Sequence, residues 1–169
     1  MDTPKSSTYD PSVAGLDQND LSQRLKMNPK IPELTLNDGP WPGHIYVISY
    51  MDTPRVFTYH SQRGVTLMDY EGSVAQRWIC HSQDGWLGFV ADPGDTTAYI
   101  GHIQKKLRCC VNHHKKNEMF SVRKRLKGLD GFQVLMRFED SLHPIGIDGD
   151  GDVAMIKGSD AWWGFTMIA

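Results

Sequence analysis

The pattern of hydrophobic and polar positions divides the chain near residue 41. Beyond it, short runs rich in Val, Ile, Phe, Tyr and Trp are punctuated by Gly, Asp and Asn clusters, the texture of an all-β domain. The runs recur. Closing strands are predicted at Gln76-Arg77-Trp78-Ile79-Cys80, Met119-Phe120-Ser121-Val122 and Trp162-Trp163-Gly164-Phe165, whose aromatics Trp78, Phe120 and Trp163 are 42 and 43 residues apart. Two positions on, Cys80, Val122 and Phe165 share a face with them, as a period of two requires. Opening strands repeat at Gly43–Val47, Gly85–Phe89 and Gly131–Leu135. Second strands fall around Phe57, Ile100 and Ile145, and third strands at Val65–Leu67, Leu107–Cys109 and Val153–Met155. Three units of four strands predict twelve. Three propeller blades would be too few to close a ring, and a sandwich would not need the recurrence. A barrel built from three equivalent units closes its own edges. On that reading the apolar stretch AWWGFTMI is the twelfth strand, entering the core to seal the barrel.

Residues 1–40 read differently. They carry Pro4, Pro11, Pro29, Pro32 and Pro40, many polar residues and few aromatics, which predicts an extended, partly ordered N-terminal arm ahead of a domain over 41–169. One short amphipathic stretch, NDLSQRLKM, could form a helix capped by Asn19.

With that period and those aromatics, the chain resembles the β-trefoil superfamily over about residues 41–169, in particular its ricin-B-lectin-like and fascin-like members. The segments GWLGF, AYIGH, EMFSV and GFQVLM are also similar to small uncharacterised fungal proteins of that fold. The resemblance implies a β-trefoil, three four-strand repeats with pseudo-three-fold symmetry. It implies a lectin-like site with an Asp after the second strand, a stacking aromatic on the third, and a Gln-x-Trp closing strand. Here Gln76-Arg77-Trp78 keeps the closing pattern, while the other repeats have Glu118-Met119-Phe120 and Ala161-Trp162-Trp163. The Asp position holds His60, Ile103 and Asp148, and no third strand supplies an evident stacking aromatic, so a complete galactose-type site is absent.

Candidate chemistry is sparse. His60 and His102 follow equivalent second strands, and three-fold geometry would bring them to one end of the barrel with Asp148, a His–carboxylate group able to move protons. Asp148, Asp150 and Asp152 resemble the start of a calcium loop, but Val153 and Ser159 occupy its sixth and twelfth positions, so an acidic hairpin turn is expected. His113 and His114, adjacent in a loop, would point apart and chelate poorly. Trp86 is expected to face outward with His44 and Phe132, packing under the arm or offering a binding surface. No Gly-x-Ser-x-Gly, phosphate loop or dinucleotide fingerprint occurs, which argues against hydrolytic and nucleotide chemistry. No metal or cofactor is expected.

Charge adds one lead. Although the net charge is −2, nine bases against Glu118 alone lie between Lys105 and Lys127, and seven acids against Arg137 and Lys157 follow from Asp130. The Lys105–Lys127 stretch could meet an anionic surface, but it lacks interleaved exposed aromatics, so sequence-specific nucleic-acid binding is not expected. There is no apolar run of membrane-spanning length. Three cysteines without a secretory pattern predict reduced thiols and a cytoplasmic protein. The leading expectation is a module binding a glycan or other polar or anionic ligand through strand-end loops, with Asp148, Trp86, His102, His113 and His114 as its candidates. Two rivals stand beside it. One is a small non-hydrolytic enzyme of cyclase or isomerase type, in a fungal biosynthetic context, using His60, His102 and Asp148. The other is a protein-interaction module, cytoskeletal or inhibitory.

Overall fold

In the computed structural model, which describes residues 39–168 except 63, 92–97 and 127, the predicted runs become strands. They are β1 (Ile45–Tyr50), β2 (Arg55–His60), β3 (Gly64–Asp69), β4 (Trp78–Gln83), β5 (Trp86–Ala91), β6 (Ala98–Ile103), β7 (Lys106–Val111), β8 (Phe120–Lys124), β9 (Phe132–Phe138), β10 (Ser141–Ile147), β11 (Val153–Met155) and β12 (Trp163–Met167). Two short 3-10 turns, Val74–Gln76 and Lys116–Glu118, precede β4 and β8. The arm predicted over residues 1–40, including the Asn19-capped helix, lies outside the described residues save for its last two positions.

The way these strands close overturns the β-trefoil expectation. A trefoil closes its barrel with six strands, whereas here the antiparallel ladder closes through nine, with three strands outside. The circuit runs β1–β4–β5–β6–β7–β11–β10–β9–β12 and back to β1. Outside it, β8 pairs with both β5 and β9, and the β2–β3 hairpin joins β1 through Ser49 and Val56. The physical reason is that periodicity along a chain orders the strands and their faces, while barrel size depends on lateral pairing. The pairings that enlarge the ring are short: β5 meets β6 at two residue pairs, and β7 meets β11 at one.

The core is aromatic. Phe165 of β12 lies 6.0 Å from the Tyr46 ring, 5.8 Å from Phe89 and 5.7 Å from Phe132, which ties β12 to β1, β5 and β9. Phe132, expected to face outward, is therefore buried. Alternation along β9 sends Phe132, Val134 and Met136 into the core, the face opposite to the outward setting expected for Phe132. Trp78 and Trp163 are fully buried, and each indole N–H finds a strand carbonyl, Trp78 donating to Phe57 O at 3.0 Å and Trp163 to Ile145 O at 3.1 Å. Phe120 is buried at the corresponding position but has no polar atom to satisfy. Each indole removes on the order of 200 Å² from water, worth ~5 kcal/mol as an upper figure.

Buried polar groups are braced similarly. The Gln76 side chain donates to Thr58 Oγ1 at 3.2 Å and Asp69 O at 2.9 Å, and accepts from the Glu71 N–H at 2.8 Å. Gly64, at φ 81°, lets the β2–β3 hairpin approach β7 so closely that a Cβ would sit 2.8 Å from the Arg108 backbone. Burial raises the Cys80 thiol to about 12, which keeps it protonated.

Trp163→Phe keeps most of the buried area and removes the donor to Ile145, and is expected to cost about 1–2 kcal/mol. Trp163→Ala is expected to cost ~3–5 kcal/mol, because it also opens a cavity. Urea unfolding of both variants measures the split between hydrogen bond and packing.

Candidate functional site

Two tight hairpins bound a site-like concavity. Asp84 and Gly85, at φ 52° and 83°, turn β4 into β5, the two positive values that a two-residue hairpin turn favours. Glu139 and Asp140 turn β9 into β10, with Glu139 at φ 53°. Their rims meet at a shallow, open cleft of about 300 Å³ lined by Trp86, Arg137, Asp140, Ser141 and Leu142. Trp86, the first residue of β5, is half-buried, and the Arg137 guanidinium lies 5.8 Å from its ring centroid. Arg137 is fixed from behind, donating its backbone N–H to Met119 O at 3.1 Å and approaching Met119 Sδ at 3.8 Å through Nη1. Ser141 Oγ lies 2.9 Å from His143 Nε2 and donates to Phe138 O at 3.3 Å. An indole face, a guanidinium, a carboxylate and a hydroxyl thus share one wall. That set can cover the C–H patch of a sugar while meeting its hydroxyls or a carboxylate.

A partly buried group of histidines surrounds the buried Glu118 carboxylate. The Glu118 carboxylate, its side chain only 6% exposed, accepts the Lys115 N–H at 3.1 Å and sits 3.4 Å from His113 Nδ1. His114 is buried, stacked 5.4 Å from Tyr99, with Nε2 3.1 Å from Leu87 O. Its ring fills the space over Gly88, where a Cβ would come within 2.8 Å. His102 packs 5.6 Å from Phe138, and its ring bonds the Arg137 backbone. His102 Nε2 and His113 Nδ1 are buried without a hydrogen-bond partner. Burial holds the imidazoles of His102 and His114 below the ordinary value of 6.5, outweighing their backbone hydrogen bonds and the Glu118 charge.

The residues grouped on three-fold reasoning each have partners of their own. Asp148 is occupied within its own turn, its Oδ1 accepting the Asp150 and Asp152 N–H groups at 2.9 Å each. Lys106 Nζ sits 3.6, 3.5 and 3.7 Å from Asp148, Asp150 and Asp152, where a loop cation would lie. Partial burial pushes the Asp148 carboxyl up, but those N–H groups and the Lys106 ammonium outweigh it and leave it below its usual value. Asp148, in turn, raises Lys106. His102 faces Phe138 instead, and His60 accepts the Gln62 N–H at 3.2 Å in the β2–β3 turn. Among the described residues, no three His, Cys, Asp or Glu side chains converge as a metal centre would. The surviving Gln76-x-Trp78 pattern is spent on bracing the β2–β3 hairpin.

The basic stretch is likewise divided. Lys106 is tied to the Asp148 turn, Arg108 Nη1 donates to Leu107 O at 3.1 Å, Lys105 lies over Phe138 at 5.4 Å and Arg125 over Trp162 at 4.6 Å. Trp86 is the residue the sequence pointed to that lines the cleft. Arg137, Asp140, Ser141 and Leu142 were missed, because nothing in their spacing marks them until β9 and β10 pair. No protein-family model matches the chain, and no curated protein does.

Acidification is expected to destabilise the fold. With native pKa values of His102 and His114 depressed, the unfolded chain binds more protons than the native one. Stability is therefore full above the unfolded value of 6.5 and is lost as pH falls toward the lower native values. Urea midpoints taken from neutral pH down to about pH 5 should fall, and His102→Gln with His114→Gln should flatten the slope.

Proposed function

We propose that this β-barrel is a ligand-binding module whose Trp86–Arg137 cleft receives a glycan or another small polar ligand, with anionic forms favoured by Arg137. The observation that carries the reading is the cleft itself, where an indole face and a buttressed guanidinium share a wall with Asp140 and Ser141. It rests on the chemistry of these side chains and on no fold family. Sugars need both parts, an aromatic face for the C–H patch and paired groups for hydroxyls that would otherwise lose their hydrogen bonds to water. The acid–base rival has less behind it, since Asp148 is saturated by its own turn and Lys106. Cys80 is a free thiol, which suits the cytoplasm as the place of action, and no described helix is long and apolar enough to cross a membrane.

A glycan array followed by isothermal titration of its hits tests the reading. Trp86→Ala is expected to weaken binding about tenfold or more, equivalent to ~1.4 kcal/mol, without moving the unfolding midpoint appreciably. Arg137→Gln should weaken carboxylate- or sulfate-bearing ligands more than neutral ones. Binding that both variants leave intact places the ligand elsewhere and rejects the cleft.

A further inference from the structure

The turn joining β8 to β9 leaves two leucines in solvent, and among the described residues Leu126 is the most exposed of the large hydrophobic side chains. Leu126 is 84% exposed and Leu129 54%. The Leu129 N–H donates to Leu126 O at 3.3 Å and the Arg125 N–H to Gly131 O at 3.0 Å, which puts the two leucines at the end of the β8–β9 connection. Below the tip stand Arg123 and Lys124, exposed at the end of β8. Arg125 lies with its guanidinium 4.6 Å from the Trp162 ring, which ties a cation and an aromatic to the same collar. Residues 123–130 hold four bases in sequence, Lys127 being the fourth, against the single acid Asp130.

We infer that this turn is a docking tip for a bilayer containing anionic phospholipid, with Leu126 and Leu129 entering the acyl boundary while Arg123, Lys124 and Arg125 meet the headgroup phosphates. The arrangement of apolar tip, cationic collar and interfacial Trp is what a peripheral membrane contact requires, since neither weak apolar insertion nor charge alone suffices. A protein partner is a poorer match. Two leucines on a protruding turn offer little of the roughly 1,600 Å² that a stable protein interface buries. Polyanion binding by charge would leave the leucines without a role. The inference stands apart from the Trp86 cleft and survives or fails independently of it.

The test is co-sedimentation of the full chain with vesicles of phosphatidylcholine alone and of phosphatidylcholine mixed with phosphatidylserine. The protein should pellet with the mixed vesicles, stay in solution with neutral ones, and be released progressively by salt. Leu126→Asp with Leu129→Asp should reduce partitioning about tenfold or more. Arg123→Gln with Lys124→Gln should weaken it and make the remainder less sensitive to salt. All four substituted residues are exposed, and circular dichroism melts of each variant check that the fold is intact. No binding to the mixed vesicles overturns the inference, and so does binding that the leucine substitutions leave unchanged, which would reveal adsorption by charge without insertion. Equal binding to neutral and anionic vesicles overturns the role of the bases.

Discussion

Two hydrogen bonds inside the barrel organise the rest of the molecule: Trp78 Nε1–H to Phe57 O, and Trp163 Nε1–H to Ile145 O. A large ring can fill a core in several orientations, but an indole must also satisfy one N–H, and burial without a partner costs ~1–3 kcal/mol. The carbonyl that meets it therefore selects the orientation. Because Phe57 is on β2 and Ile145 on β10, each bond joins a closing strand to a hairpin that leaves it in sequence by about twenty residues. Packing then multiplies the constraint, with Trp163 4.9 Å from Phe57 and Phe165 touching rings from three other strands. Phe120 fills the remaining position by packing alone, against Phe89 at 5.3 Å.

The consequence for function is a division between core and turns. The barrel spends Gln76, Ser49 and both tryptophans on its own cohesion, and the Asp148 turn spends Lys106 in the same way. What is left for recognition lies where hairpins end: the Trp86–Arg137 cleft between two tight turns, and the leucine tip between β8 and β9. Both rest on strands whose register is pinned by the core, so their side chains are presented without the entropy cost that a long flexible loop would add. The cleft and the buried histidines also share a wall, since Arg137 supplies the backbone group that His102 binds.

The elements were largely legible in the sequence, and the closure was not. Alternation of apolar and polar residues marks strands because successive side chains point to opposite faces, and all twelve predicted strands appear. The spacing of Trp78, Phe120 and Trp163 identified three deeply buried rings. Which strands lie side by side is a property of pairs, and the β5–β6, β7–β11 and β9–β10 contacts that enlarge the circuit have no signature within either strand. Phe132 failed for a related reason, because its face depends on the register of β9, which turns Phe132, Val134 and Met136 into the core. The site shows the same limit. Asp84-Gly85 announces a hairpin and Trp86 follows it, but Arg137 and Asp140 become neighbours of Trp86 only through the fold. Asp148 was visible as an acidic turn, whereas the lysine within it comes from forty-two residues earlier in the chain.

Hydrogen exchange of the indole N–H groups, followed by nuclear magnetic resonance, probes this internal anchoring most directly. If Trp78 and Trp163 lock the barrel, their indole protons exchange only through global unfolding, with protection matching the stability from denaturant titration. Exchange of either one at a rate comparable with the exposed Trp41 indole would mean that the barrel opens locally around it, contradicting the account at its root.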